Sequence, residues 1–291
     1  MLTIVTGLHR CAWPLVDVPY IDAVQLSAVS RKLAAAVRAM PVMEKTFVLC
    51  KSRFIWHGRV DSQLILSWAS RFTGLIVMGA AFSTAGLAKF VAAASAVQEI
   101  SVVCNDLSEA ARADVLFSGH SNVATMSLEG AELPCMVPPN VRHLHIHFDD
   151  TMTCLDPQSY REWISATLIR LTRLDRLEQL DLHIQGIKFL TSPARLNLKV
   201  LEVTLWVDVD AYEELDYNLD WLRMHTSCKL HLKVWLLTRD LQLHASLIAE
   251  LQRLRVVPEV LKLIVDCVDL PSGVLKAWRS VRHGCMVIEP Y

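Results

Sequence analysis

The sequence predicts an α/β solenoid with a parallel β-sheet on its concave face, helices on its convex face and a helical cap at its N-terminal end. Three observations predict it. Short apolar strands recur along the 291 residues, their apolar positions keep one register, and amphipathic or irregular stretches separate them. Alternating strands and helices would also suit a doubly wound α/β domain, but no strand here leads into a glycine-rich phosphate loop.

Residues 97–107, VQEISVVCNDL, state the register most fully. Val97, Ile100 and Val102 are apolar, Asn105 follows and Leu107 closes, which matches the L-x-x-L-x-L-x-x-N-x-L pattern of a leucine-rich repeat. Side chains alternate along a strand, so Ile100 and Val102 face one way while Glu99, Ser101 and Val103 face the other. Asn105, a turn former, suits the point where the chain leaves the strand. The first, fourth and sixth positions recur as Phe72, Leu75 and Val77; Val123, Met126 and Leu128; Val141, Leu144 and Ile146; Leu177, Leu180 and Leu182; Leu198, Leu201 and Val203; and Val260, Leu263 and Val265. Leu230 with Leu232, and Cys285 with Val287, keep only the inner pair. Successive fourth positions are 25, 26, 18, 36, 21, 29, 33 and 22 residues apart, scattered around the roughly 20 to 29 of this repeat. One such match occurs by chance in any strand; a series of them does not.

Composition narrows the function classes. Hydrophobic residues make up 53 % of the chain, enough for a continuous core. The 29 Lys and Arg against 30 Asp and Glu leave a net charge of -1, without the basic footprint of a nucleic-acid binder. The eight cysteines include no close pair, which argues against a zinc ribbon or C-x-x-C site and suits reduced thiols, with Cys104, Cys267 and Cys285 in or beside strands where small thiols are often buried. No apolar run approaches the roughly 20 residues of a membrane span, and the opening MLTIVTGLHR has too short an apolar run for a signal sequence. The expectation is a cytoplasmic or nuclear protein without a cofactor, contacting neither membrane nor nucleic acid.

Along the chain, Trp13, Pro14 and Pro19 break any period before residue 20. Leu26, Val29, Leu33 and Val37 then recur at helical steps until Pro41 ends them. IDAVQLSAVSRKLAAAVR resembles the second half of an F-box, with an acidic residue, an apolar helix and a Val-Ser-Arg-type stretch ahead of the repeats. The resemblance implies a Skp1-type adaptor of a cullin ubiquitin ligase as partner, bound through Leu26, Val29 and Leu33, with the repeats holding the substrate. The opening Leu-Pro of that motif has no counterpart in TGLHRCAWPLVDVPY. The alternative is a helix that only caps the solenoid's open end, as repeat arrays require. The division is therefore residues 1–45 as F-box-like cap and 46–291 as solenoid.

Residues 46–49 read as an initial strand and 61–71 as a helix. Return helices are expected at 87–96, 109–117, 159–174, 211–224, 243–254 and 274–279. The clearest opens with Asp156 as N-cap and Pro157 at the first helical position, with Ile164, Leu168 and Leu171 on one face. Pro134, Pro138 and Pro139 exclude a full helix between Leu128 and Val141.

The candidate site lies on the strands' other face. Adjacent strands are ~4.8 Å apart, so residues far apart in sequence become neighbours. His143, His145 and His147 share one face of VRHLHIHF, with Asp181 expected beside His145 and His183 beside His147. Glu202, His231 and Lys233 continue the patch, with Ile264 expected beside His231 and Lys262 beside Lys229. Histidine titrates near neutrality, so such a partner-binding patch would be pH-sensitive. A second reading of His143, His145, His147 and His183 is a zinc site in a metal-dependent enzyme, though a flat sheet converges ligands poorly. The segment 206–222, WVDVDAYEELDYNLDWL, reads as a return helix with an acidic outer face or as a docking edge for a basic partner. His120 and Ser121 lack a nucleophile elbow, and no H-E-x-x-H or P-loop is present. The expectation is a non-enzymatic protein-binding module, most specifically a ubiquitin-ligase substrate receptor, with a scaffold subunit of a stable complex as the alternative.

Overall fold

The alternation of apolar and polar residues builds the strands, and each strand then buries its apolar set against the layer of return segments behind it. The computed structural model describes residues 46–50, 66, 69–70, 72–78, 84–103, 122–129, 133, 137–148, 157–185, 190–207, 218–225, 227–236, 240–254, 257–265 and 271–290. The expected N-terminal helix with Leu26, Val29 and Leu33, the expected helix at 109–117 and Asp156 lie outside the described residues.

Among the described residues, β1 (Thr46–Cys50), β2 (Gly74–Met78), β3 (Glu99–Val103), β4 (Thr125–Glu129), β5 (His143–Phe148), β6 (Gln179–Gln185), β7 (Val200–Val207), β8 (Lys229–Leu236), β9 (Val260–Val265) and β10 (Cys285–Pro290) form one sheet. Spatial order equals chain order, and all nine pairings are parallel. On the other side lie α1 (Thr84–Ala93), α2 (Pro157–Leu171), a 3₁₀ helix (Asp220–His225), α3 (Leu241–Leu254) and α4 (Ser272–Ser280). Pro157 does open α2, and Ile164, Leu168 and Leu171 are buried. Of the helix expected at 211–224, the described part is the short 3₁₀ turn.

Ile100, Met126, Leu144, Leu180, Leu201, Leu230 and Leu263 are all buried, as the repeat register requires. Burying such a side chain is worth about 1.5–3 kcal/mol, so this row is a main support of the core.

The register departs from expectation at the C-terminal end. Paired strands are offset by 28, 25, 26, 18, 36, 21, 29, 29 and 25 residues. The expected spacing of 33 between Leu230 and Leu263 is thus 29 in the pairing, and Leu263 lies opposite Val234. An even displacement keeps every side chain on its face. The next spacing is 25 where 22 was expected, and an odd displacement swaps the faces. Met286 and Ile288 therefore pack against the core, whereas Cys285 and Val287 are exposed. Gly284 marks the cause: a Cβ there would stand 2.6 Å from the Glu259 carbonyl oxygen, so only glycine lets the backbones meet in this register.

The segments between β4 and β5 and between β6 and β7 carry no helix among their described residues. Between β4 and β5 the offset is only 18 residues, and the prolines stand there as expected. Between β6 and β7, residues 190–199 run irregularly with Leu190, Ala194, Leu196 and Leu198 buried. Buried backbone without a helix needs partners. The 3₁₀ helix and the residues leading into it supply them. The Leu190 N–H donates to the Asn218 carbonyl at 2.6 Å, Trp221 N–H to the Leu190 carbonyl at 3.0 Å and Trp221 Nε1–H to the Ala194 carbonyl at 2.8 Å. His225 accepts the Leu196 N–H on Nε2 at 3.2 Å and donates from Nδ1 to the Trp221 carbonyl at 3.1 Å. Glu250 of α3 accepts the Leu219 N–H at 2.8 Å and holds Arg253, which also reaches Asp220.

Candidate functional site

The open face of the sheet is set by the residues between the buried ones. In the row through the middle of the strands, Ser127, His145, Asp181, Glu202, His231 and Val260 are successive neighbours. His145 donates from Nδ1 to Asp181 Oδ2 at 2.8 Å, and this hydrogen bond raises the imidazole above its ordinary value. His231 donates to Glu202 Oε1 at 3.2 Å, and its Nε2 lies 3.8 Å from Glu259. Val260 thus takes the place beside His231 that the sequence reading gave to Ile264.

Two residues further along the strands, the row runs Glu129, His147, His183, Thr204, Lys233 and Lys262. Lys262 stands beside Lys233, not beside Lys229 as expected, and is held by Glu289 at 2.7 Å. His147 lies 3.7 Å from Glu129, and its ring stacks on His183 with centroids 4.0 Å apart. His183 in turn faces Trp206 at 6.0 Å, and Trp206 lies parallel to Trp235 at 4.9 Å with an interplanar angle of 1°. The Lys233 ammonium sits 4.7 Å from the Trp235 ring centre. A stack of four rings therefore crosses β5 to β8.

Burial governs its electrostatics. Desolvation, helped by the neighbouring His147 and His145, pushes His183 down to about 4, so its ring is neutral at pH 7. Nε2 of His147 and Nε2 of His183 are out of solvent without a described hydrogen-bond partner. His143 stands apart, exposed at the start of β5 between Thr125 and Gln179.

Against the zinc reading, no group of three or more His, Cys, Asp or Glu among the described residues could hold a metal ion. His147 and His183 meet face to face, which turns their nitrogens side by side, and Asp181 occupies His145 Nδ1. No described helix is long and apolar enough to cross a membrane.

A solved structure similar to this chain is the leucine-rich repeat-containing protein LegL7 from Legionella pneumophila, with a TM-score of 0.51 at 12 % identity over 88 % of this chain and 86 % of that one. The fold is a leucine-rich-repeat solenoid. No family model matches the sequence, and no curated protein does either.

The repeat register also brings together residues that the sequence reading kept apart. Trp206 opens the acidic segment in the sequence, yet it is the seventh residue of β7, and Trp235 holds the matching place on β8. Both strands are eight residues long, beyond the reach of the repeat pattern. The signal was present: in VLEVTLWV and KLHLKVWL the alternation simply continues to the tryptophan.

Proposed function

We propose that this solenoid is a non-enzymatic protein-binding module that takes its partner on the open face of β4 to β9, through His143, His145, His147, Asp181, His183, Glu202, His231 and Lys233. The observation that supports this reading most is the ring stack: half-buried aromatic side chains beside charged groups, with two imidazole nitrogens lacking described partners. Buried polar atoms without partners cost about 1–3 kcal/mol each, and a small turn of either half-buried ring would bring its nitrogen to a hydrogen-bonding group of another chain. Rigid aromatic anchors are also what tight protein interfaces use. The free thiols of Cys228 and Cys285 are in keeping with a place in the cytoplasm or nucleus.

In its more specific form the proposal is a substrate receptor of a Skp1–cullin ubiquitin ligase, with Leu26, Val29 and Leu33 binding the adaptor. The test is affinity purification with mass spectrometry of the whole chain, of a form lacking residues 1–45, and of a His145→Ala, His147→Ala double variant. The ligase reading expects a Skp1-type protein with the whole chain and none with the shortened form. Fixed partners without an adaptor would replace it with a scaffold. The double variant should lose the face's partner by about 2 kcal/mol, roughly thirtyfold, while its stability falls by about 0.5–1.5 kcal/mol for the His147 ring contact and by less at the more exposed His145. Unchanged affinity would move the interface off this face.

A further inference from the structure

The ring stack also specifies the chemistry of what it binds, an inference that rests on the open face being the binding surface. Parallel indoles with centroids 4.9 Å apart must overlap face on face, because rings of that width placed side by side would interpenetrate. The negative π-faces of Trp206 and Trp235 are therefore turned toward each other, and the ring edges toward the partner. Ring edges are the positive rim of the quadrupole. The end of the stack is occupied too, by the Lys233 ammonium 4.7 Å from the Trp235 centre. A cation cage needs a free π-face. This stack offers none at that end.

Charge points the same way. Lys233 has no ion pair with a described carboxylate, its row neighbours are Thr204 and Lys262, and it helps hold His183 below its ordinary value. The nearby carboxylates are engaged, Glu202 by His231 at 3.2 Å and Glu289 by Lys262 at 2.7 Å. They still repel a polyanion such as nucleic acid, so a single anionic group fits better. Two strands from Lys233, Val287 is 37 % exposed next to Lys262, with Val260 half-buried two residues before Lys262 on β9. Two strand spacings are ~10 Å, about three residues of a polyproline II segment, whose period of three turns both side chains to the same side.

We infer that the surface formed by Thr204, Trp206, Lys233, Trp235, Lys262 and Val287 binds an acidic peptide segment of a partner protein. An Asp or Glu carboxylate lies against Lys233 and the indole edges, and an apolar side chain about three residues away covers Val287.

The test is selection of a phage-displayed library of random short peptides on the immobilised full chain, followed by titration of synthetic copies of the enriched peptides. Enriched sequences should pair an acidic residue with an apolar one about three positions away. Their affinity should fall about tenfold or more for Lys233→Glu, less for Lys233→Met, which keeps the aliphatic stem on Trp235, and similarly when the peptide's acid becomes its amide. Binding should also weaken with salt. A melt confirms that each variant is folded. Neutral or basic enriched peptides, or equal affinity for Lys233→Glu, would overturn the inference. If such peptides nevertheless lose binding to His145→Ala, His147→Ala, the open face remains the binding surface and only the acidic specificity fails; no enrichment at all defeats both.

Discussion

His225 and His183 lie on opposite sides of the same sheet, each against a tryptophan and each held below its ordinary pKa chiefly by burial. Their nitrogens differ. Both of those on His225 are used, by the Leu196 N–H and the Trp221 carbonyl, whereas His183 Nε2 has no described partner. A neutral imidazole packed on an indole is thus no sign of function by itself. What separates the two is hydrogen-bond completeness: His225 is closed within the chain, and His183 leaves a nitrogen without a described partner.

The largest expected effect breaks the closed side. Trp221→Ala removes a fully buried ring, leaves the Ala194 carbonyl without its donor and strips His225 of its packing partner. A loss of about 3–5 kcal/mol in chemical denaturation is expected. Trp235→Ala, on the half-buried stack, should cost less than half as much. Equal losses would erase the distinction between the sides.

A smaller effect sharpens it through pH. Because the folded pKa values of His225 and His183 lie below the unfolded value near 6.5, their neutral forms contribute stability that is present above that pH. The contribution is lost as pH falls from 6.5 through the lowered values, toward about 4 for His183. The chain should therefore melt lower at pH 5 than at pH 7.5. In His225→Gln, which cannot titrate, the difference should shrink. An unchanged difference would mean that His225 does not sense protons.

The smallest effect has the opposite sign. His145 is raised by Asp181, so its contribution is full below pH 6.5 and is lost as pH rises through the folded value. Asp181→Asn should destabilise by less than about 1 kcal/mol, since the pair is partly exposed, and more at pH 5.5 than at pH 9. A loss independent of pH would point to packing and not to charge.

Most of the architecture was legible because a strand's period of two survives any loop length. The buried row from Ile100 to Leu230 and the open-face pairs His145–Asp181, His147–His183 and Glu202–His231 follow from alternation, parallel stacking and the shared register of the repeat pattern. What alternation cannot supply is the offset between two particular strands. At β9 and β10 the loop geometry and Gly284 decided it, and Cys285 and Val287 changed faces. Trp206 and Trp235 were missed because the repeat pattern ends before the strands do. The clasp of Trp221, His225 and Glu250 was invisible for another reason: its partners stand 27, 29 and 31 residues away, with no periodic relation between them.

Since strand order equals chain order, each strand needs only the one before it as a template. A chain emerging from the ribosome can add its repeats one by one without waiting for distant sequence, as in any array whose units touch only their neighbours. The offset from β9 to β10 is 25 residues, so removing one stretch of that length would bring the β10 backbone to the place of β9 in the same register. The molecule is thus extensible and contractible by whole repeats, and the width of its open face is a quantity that insertion and deletion can tune.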